Sequence, residues 1–516
     1  MWKDNMRDGE IKSKVVIRNM IWGIFNQVVN ILLPFILRTI IIYWFGVNYI
    51  GLRTLFSSIL NVLNVAELGF GGVISTLLYA PVAENNHEKI VQLVRFLKRC
   101  YLLLGSIIFV LGLMLLPFLD KLIALDYPEE MNIYILYLIN LFGTVAGYFL
   151  FAYKKILLSA NQRYDIEVNI ATIMIFLQTT IQVVVVIVTK NFYLFMMAVP
   201  ICTVLNNLIS NCIVNKLYPL SVVNVKALCN DDKKRIYQKV QGAFYYRIGS
   251  VMLFSADNIV ISKFLGLIQL GVYNNYYYIV NSLQGIQAII HNSIRPIIGN
   301  MICKKSVTEN QKEFFDYYFC YMGISIVCGA GVLCLGQSFV ELWIGEDMKL
   351  PFGICVMLTI DFMAQSICDI FRIYQEAAGI FKEGRYVPLC GAAVNLILNL
   401  LLTRYFGLYG IVLSTILAVL IVLLPGYVSI VWKYYFKNAA FIKYSIANIL
   451  LYAFSATLIL VITKYVCDKI SVQTWGDLMI RGTVCVLISI VLYAALLGWK
   501  TETKDVLSVL KRLKGN

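Results

Sequence analysis

Histidine is nearly absent from this chain: only His87 and His291 occur in 516 residues. A His-based metal centre is therefore not expected. Charge is also scarce, at 14% of residues against 60% hydrophobic, with a mean hydropathy of +0.76. A water-soluble chain of this length needs far more polar surface to cover its core, so that class is excluded. The thirteen cysteines include no CxxC pair and fall mostly in apolar stretches. They read as packing residues, not as disulfides or metal ligands. Walker A, HExxH and GxSxG segments are missing. The Gly-rich stretch LGFGG at 68–72 has no strand before it and reads as helix packing. No stretch between apolar runs is long enough for a catalytic domain, which argues against an enzyme.

What the chain has instead is long apolar runs. At about 20 residues per crossing they give about fourteen spans, with span 2 near 52–79, span 7 near 240–263, span 8 near 272–298 and span 10 near 351–379. The first run is too long for a signal-peptide core and lacks a small-residue cleavage site, so it is expected to remain as an anchor. Lys and Arg cluster in the N-terminal tail (Lys3, Arg7, Lys12, Lys14, Arg18), the even-numbered loops and the C-terminal tail (Lys500, Lys504, Lys511, Arg512, Lys514). Odd-numbered loops hold few, among them Lys121, Lys190 and Lys263. This asymmetry puts both termini in the cytoplasm. It also accounts for the net charge of +15 through orientation and anionic lipid, without nucleic acid.

The expected organisation is a cytoplasmic tail (1–18), an N-lobe of six spans (19–213), a charged cytoplasmic linker (214–239), a C-lobe of six spans (240–432), two further spans (433–499) and a basic tail (500–516). The two lobes repeat weakly at one spacing. Gly46, Gly51 and Asn61 answer Gly266, Gly271 and Asn281, and Cys100-Tyr101 answers Cys320-Tyr321. A same-handed repeat implies two halves related by an axis along the membrane normal. The expected fold class is thus an all-α integral membrane protein, two six-helix lobes around a central cleft plus two C-terminal helices.

The spans are not uniformly apolar. Span 10 carries Asp361, Gln365, Asp369, Arg372 and Glu376, which fall within an arc of roughly 80° on a helix. Such a stripe must face protein or water, because charge in lipid costs several kcal/mol at least. Span 8 aligns Asn274, Tyr277, Asn281, Gln284, His291 and Arg295. Span 2 offers Ser57, Asn61, Asn64 and Glu67; span 7 offers Arg247, Ser250 and Asp257; span 1 offers Asn26, Asn30 and Arg38. These residues either line a polar path or satisfy one another, the amides through interhelical hydrogen bonds and the charges through ion pairs. In span 10, Asp369–Arg372 and Arg372–Glu376 are spaced to pair, which leaves Asp361 without a basic partner on its own helix. Arg38, Arg247 and Arg295 have no such ladder on their helices and suit an anionic head group, since Arg grips phosphate with two parallel hydrogen bonds. Arg53 and Arg481 sit at outer span ends and fit snorkelling. The run YNNYYY at 273–278 reads as a sugar-stacking surface or as an interfacial aromatic belt.

The stretch LPFILRTIIIYWFGVNYIGLRTLFSSILNVLNVAELGFGG (33–72) resembles the opening of bacterial Wzx-type polysaccharide flippases, members of the multidrug/oligosaccharidyl-lipid/polysaccharide exporter superfamily. The matching residues are Pro34, Arg38, Gly46, Tyr49, Gly51, Leu52, Glu67, Leu68, Gly69 and Gly71. SADNIVISKFLGLIQLGVYNNYY (255–277) is similar to that family's seventh span and the loop after it. AAGIFKEGRYVPLCGAAVNLILNL (377–400) and GLYGIVLST (407–415) resemble its tenth-to-twelfth-span region. Arg53 departs from the pattern, where related sequences often carry a small polar residue.

The resemblance implies an inner-membrane protein that turns undecaprenyl-pyrophosphate-linked oligosaccharide to the outer leaflet. Membrane lipids, a polysaccharide polymerase and glycosyltransferases are its implied partners. No cofactor is expected beyond a coupling ion, H+ or Na+. The substrate-binding candidates are Arg38, Arg247, Arg295, Asn61, Asn281, Gln284 and His291. The coupling or gating candidates are Asp257, Glu67, Asp361, Asp369, Arg372 and Glu376. Competing expectations are a multidrug exporter of the same superfamily, which calls for acids where span 1 has Arg38, and a polysaccharide polymerase, which calls for a long basic outer loop. Replacing Asp361 with Asn is expected to abolish the dependence of transport on a proton or sodium gradient; unchanged dependence removes Asp361 from the coupling set.

Overall fold

Backbone amides have no water to bond in a bilayer, so apolar runs of this length satisfy themselves internally as helices. The computed structural model describes residues 10–64, 70–123, 131–161, 163–219 and 227–503, and among them there is no strand. The chain divides into two compact units, Met1–Val251 and Met252–Asn516.

The first unit contains α1 (Glu10–Trp44), α2 (Val47–Leu63), α3 (Phe70–Ala83), α4 (His87–Leu115), the short α5 (Leu119–Leu122), α6 (Ile133–Phe149), α7 (Ile156–Ala160), α8 (Tyr164–Thr189), α9 (Phe192–Leu217) and the start of α10 (Asn230–Lys304). Helix α1 packs on α8, α8 on α9, α9 on α6, α6 on α4, and α4 on α3. Asparagine starts three of these helices. Asn86 accepts from Lys89 N, Asn132 from Tyr134 N and Ile135 N, and Asn191 from Tyr193 N and Leu194 N. Each cap satisfies amides that the first turn leaves without partners. A left-handed residue, Phe151 at φ 58°, breaks the chain after α6, and the segments either side meet at 51°.

The second unit holds the rest of α10, then α11 (Val307–Ile344), α12 (Phe352–Ala377), the single turn α13 (Phe381–Gly384), α14 (Val387–Phe406), α15 (Leu408–Ala418), α16 (Leu424–Val431), α17 (Ala439–Cys467) and α18 (Trp475–Leu497). Capping boxes start α11 (Ser306 with Glu309) and α18 (Thr474 with Asp477), each satisfying two terminal amides reciprocally. Wider π turns follow α15 and α16 at Val419–Leu423 and Trp432–Phe436. Helix α11 packs against α12, α17 and α18. Phe314 on α11 meets Phe371 and Tyr374 of α12, Phe436 of the second π turn and Phe441 of α17, with ring centroids 5.0–5.8 Å apart. Tyr273 and Tyr276 of the YNNYYY run are buried here. The Tyr276 hydroxyl lies 3.3 Å from Gln337 Oε1 and accepts from Leu350 N at 3.2 Å. These two tyrosines therefore belong to the core of the unit, not to an exposed belt.

Eleven helices among the described residues are long and apolar enough to cross a membrane, or twelve if the bent pair Ile133–Phe149 and Ala152–Ala160 is one span. The expected fourteen are not reproduced, and the difference has two sources. Expected span 2 runs over 65–69, which lie outside the described residues between α2 and α3, and expected spans 7 and 8 count as one stretch of α10 although the chain turns between them at Gly266. Large apolar side chains such as Ile173, Phe142, Met479 and Val491 lie exposed on these helices, as lipid-facing positions require.

The repeat spacing has a backbone counterpart. Gly46, between α1 and α2, sits at φ 102°, ψ 167°, and Gly266, inside α10, at φ 92°, ψ 169°. This region is essentially restricted to glycine. The two glycines matched by sequence thus make the same turn in both units, where span 1 gives way to span 2 and span 7 to span 8. Gly46→Ala and Gly266→Ala should each cost about 1–3 kcal/mol, read as a lower unfolding midpoint in detergent. Gly331→Ala, a helical position with nothing within 4 Å of the added carbon, should cost nothing; equal midpoints for all three would contradict the shared strain.

Candidate functional site

Of the span candidates, α12 is the most enclosed: 72% of its apolar window is buried. The pairing that hides its polar stripe comes from the second half of α10. Gln284 Nε2 donates to Gln365 Oε1 at 3.2 Å, and Gln365 Nε2 donates to Asp361 Oδ2 at 2.8 Å. One turn on, Gln287 Nε2 reaches Ser366 Oγ and, on α11, Ser325 Oγ, both at 2.9 Å. Next, His291 Nε2 lies 4.0 Å from Asp369 Oδ2. The Asp369 carboxylate also accepts from Tyr321 OH of α11 at 3.1 Å and pairs with Arg372 at 2.6 Å. At the end, Arg295 meets Glu376 at 2.5 Å. Partners advance in the same direction on both helices, so the two run parallel, as two crossings separated by one other crossing must.

The sequence expectation of an ion pair within the stripe holds for Asp369–Arg372. Its assignment of Arg295 as having no ladder on its own helix also stands, but a carboxylate from a different helix engages that charge. Arg295 keeps a 45% exposed side chain, so the pair is screened and worth less than a buried one.

Two carboxylates sit deeper. Asp361 is 2% exposed, and its Oδ1 has no hydrogen-bond partner among the described residues. Asp257, 7% exposed, accepts from Asn399 Nδ2 at 2.6 Å and from Thr415 Oγ1 at 2.9 Å. Asn395 completes this group. Its Nδ2 donates to Thr415 Oγ1 at 3.0 Å, and its Oδ1 accepts from Asn399 Nδ2 at 3.1 Å. The stacked rings of Tyr273 and Tyr277 lie within electrostatic range of both Asp257 and Asp361. Asn395 and Asn399 are fully buried, and Asn399 Oδ1 has no partner among the described residues. Carboxylate, amide and hydroxyl oxygens around a buried negative charge form a hard donor set. It suits a small cation such as Na+ and is poorly matched to soft metals.

The other candidates fall elsewhere. Arg38 is half-buried on α1, while Asn61 on α2 and Arg247 on the first-unit part of α10 are exposed. Asn281 is exposed on α10, and Glu67 lies outside the described residues. Two amides take the interhelical alternative: Asn26 donates to Thr172 on α8 at 2.7 Å, and Asn64 accepts from Tyr148 on α6 at 3.2 Å. Sequence reasoning missed Asn395, Asn399 and Thr415. Their signal was the i, i+4 asparagine pair in AAVNLILNL, one turn apart on one face, together with Thr415 at the end of GLYGIVLST.

The sequence matches no protein-family model and no curated protein. Solved structures do match. Lipid II flippase MurJ, in an inward closed conformation, superposes with a TM-score of 0.64 at 14% identity, covering 97% of this chain and 100% of its own. The fold is that of the MOP-superfamily transporters. The MATE multidrug transporter DinF-BH gives a TM-score of 0.58 at 16% identity, covering 83% of this chain and 96% of its own. A MOP superfamily transporter from Pyrococcus furiosus, titled for the reverse polarity of its binding pocket, gives 0.55 at 13%, covering 83% and 97%.

On this MOP fold, Na+ should raise the melting temperature of the purified protein above that in choline. Asp257→Asn and Asn399→Ala should lose that increment; an increment kept in Asp257→Asn would remove the cation from this position.

Proposed function

We propose that this protein is a flippase that moves undecaprenyl-pyrophosphate-linked oligosaccharide repeat units across the bacterial cytoplasmic membrane by alternating access, in cell-surface polysaccharide synthesis. The observation that carries the reading is the likeness to lipid II flippase MurJ across 97% of this chain and the whole of that one. The MATE likenesses quoted above leave a larger share of the chain unmatched. The Wzx-like stretches in both halves of the sequence support the same class of cargo. In this reading the protein is a multi-pass transporter with both termini in the cytoplasm, not an enzyme.

The cargo sets three physical demands. The prenyl tail stays in lipid, the sugars need a polar passage, and the pyrophosphate needs cations that remain charged when desolvated. Arg38, Arg247 and Arg295 meet the third demand, because guanidinium stays protonated and matches phosphate geometry. Arg295 does so by exchanging Glu376 for the pyrophosphate, which makes Glu376 a competitor that reloads the arginine after release. Asn61, Asn281, Gln284 and His291 offer hydrogen bonds to sugar hydroxyls. A cation at Asp257 or Asp361 biases one conformation over the other by differential affinity. Polymerase and glycosyltransferases are the partners that consume and supply such a cargo.

An ion-coupled multidrug exporter is the competing reading, and the buried acids of the second unit would serve it. Arg38 on α1 weighs against it, because a cationic drug gains nothing from an arginine.

Depleting the protein in cells without a redundant flippase should make lipid-linked oligosaccharide accumulate on the inner leaflet and vanish from the outer one. Undiminished arrival at the outer leaflet would sink the proposal.

A further inference from the structure

Three cysteines far apart in sequence meet where α11, α17 and α18 pack together. The Sγ atoms of Cys334, Cys467 and Cys485 all lie within 4.8 Å of one another, and the residues are 2%, 0% and 1% exposed. Cys467 donates to Arg481 O at 3.9 Å. Among the described residues no His, Asp or Glu side chain joins the trio, so the strong donors are sulfur. Such a set selects a thiophilic ion over Na+, Mg2+ or Ca2+. With metal–sulfur bonds of about 2.3 Å, three thiolates around one ion stand roughly 3.8–4.0 Å apart. The cluster reaches that spacing by contracting less than about 1 Å.

Charge around the cluster favours a divalent ion. Lys464 and Arg481 both act electrostatically on the thiols. Each also pairs with the single carboxylate of Asp468, Arg481 at 2.5 Å. The neighbourhood therefore carries one surplus positive charge. Three thiols that give up their protons to water as one Zn2+ binds make a centre of charge −1, which that surplus neutralises; Cu+ would leave −2. Arg481 is not at a lipid interface, where its position near a span end placed it. It is 7% exposed, and its Nε has no hydrogen-bond partner among the described residues. A buried donor of that kind costs free energy unless an anion lies near.

We propose that Cys334, Cys467 and Cys485 form a zinc site that staples the last two helices to α11. It draws on residues the sequence assigned to packing, and it stands independently of the transport reading. Three protein ligands leave the fourth position of Zn2+ to water or another small ligand, as in open zinc sites.

The test uses the full chain, purified in mild detergent under reducing conditions and dialysed against Zn2+ or, separately, Cu+. The expected result is roughly one tightly retained Zn2+ per chain, a raised melting temperature with zinc, and no retention by Cys334→Ser/Cys467→Ser/Cys485→Ser. Because that variant can fail to fold, the wild type supplies a second readout. Zinc should shield these three thiols from a membrane-permeant maleimide, while the buried Cys202 and Cys368 react at unchanged rates. Zinc retained equally by the triple variant, no shielding of the wild-type thiols, tighter Cu+ than Zn2+ retention, or a disulfide between any two of the three would each overturn the zinc assignment.

Discussion

A carboxylate inside a bundle of apolar helices must find hydrogen bonds or a counter-charge, and α12 carries three of them. Glu376 and Asp369 are answered by arginines, and Asp369 also by a tyrosine hydroxyl. Asp361 receives one amide hydrogen bond and keeps one oxygen without a partner among the described residues. Asp257 on α10 is answered by amide and hydroxyl groups alone among the contacts that define it. The second unit thus grades its acids: two on α12 pair with arginine, and the two deepest have only amide and hydroxyl partners among the contacts described.

The sequence made some of this visible because helical periodicity is a local property. The α12 stripe and the α10 stripe were each readable from spacing alone, as were the lipid-length runs and the paired Gly46 and Gly266. What joined the stripes was not readable. Gln284–Gln365, His291–Asp369 and Arg295–Glu376 are each separated by about eighty positions, and no rule of spacing links one helix to another. For the same reason Asp257 was found while Asn395, Asn399 and Thr415 were not, and Cys334, Cys467 and Cys485 were read as inert packing. The number of spans is not recovered helix by helix, because α10 holds two spans joined at the turn of Gly266 and expected span 2 runs over 65–69, outside the described residues.

Resemblance and structure contribute at different depths. The Wzx-like stretches pointed to a superfamily, and the MurJ and MATE superpositions show its fold. At 13–16% identity that fold names no cargo, so the case for a pyrophosphate-linked lipid depends on charge. Arg38, Arg247 and Arg295 carry that part of the proposal, since guanidinium stays charged and matches phosphate.

The parallel ladder between α10 and α12 has a mechanical consequence. Sliding one helix past the other by a turn in one direction would bring Arg295 beside Arg372, like charge against like. Sliding the opposite way would strand Arg295 beyond the acid that now holds it. The rungs therefore act as the teeth of a key, permitting one register and resisting its neighbours. A one-turn slip between these two helices would therefore break the pairing at its charged end.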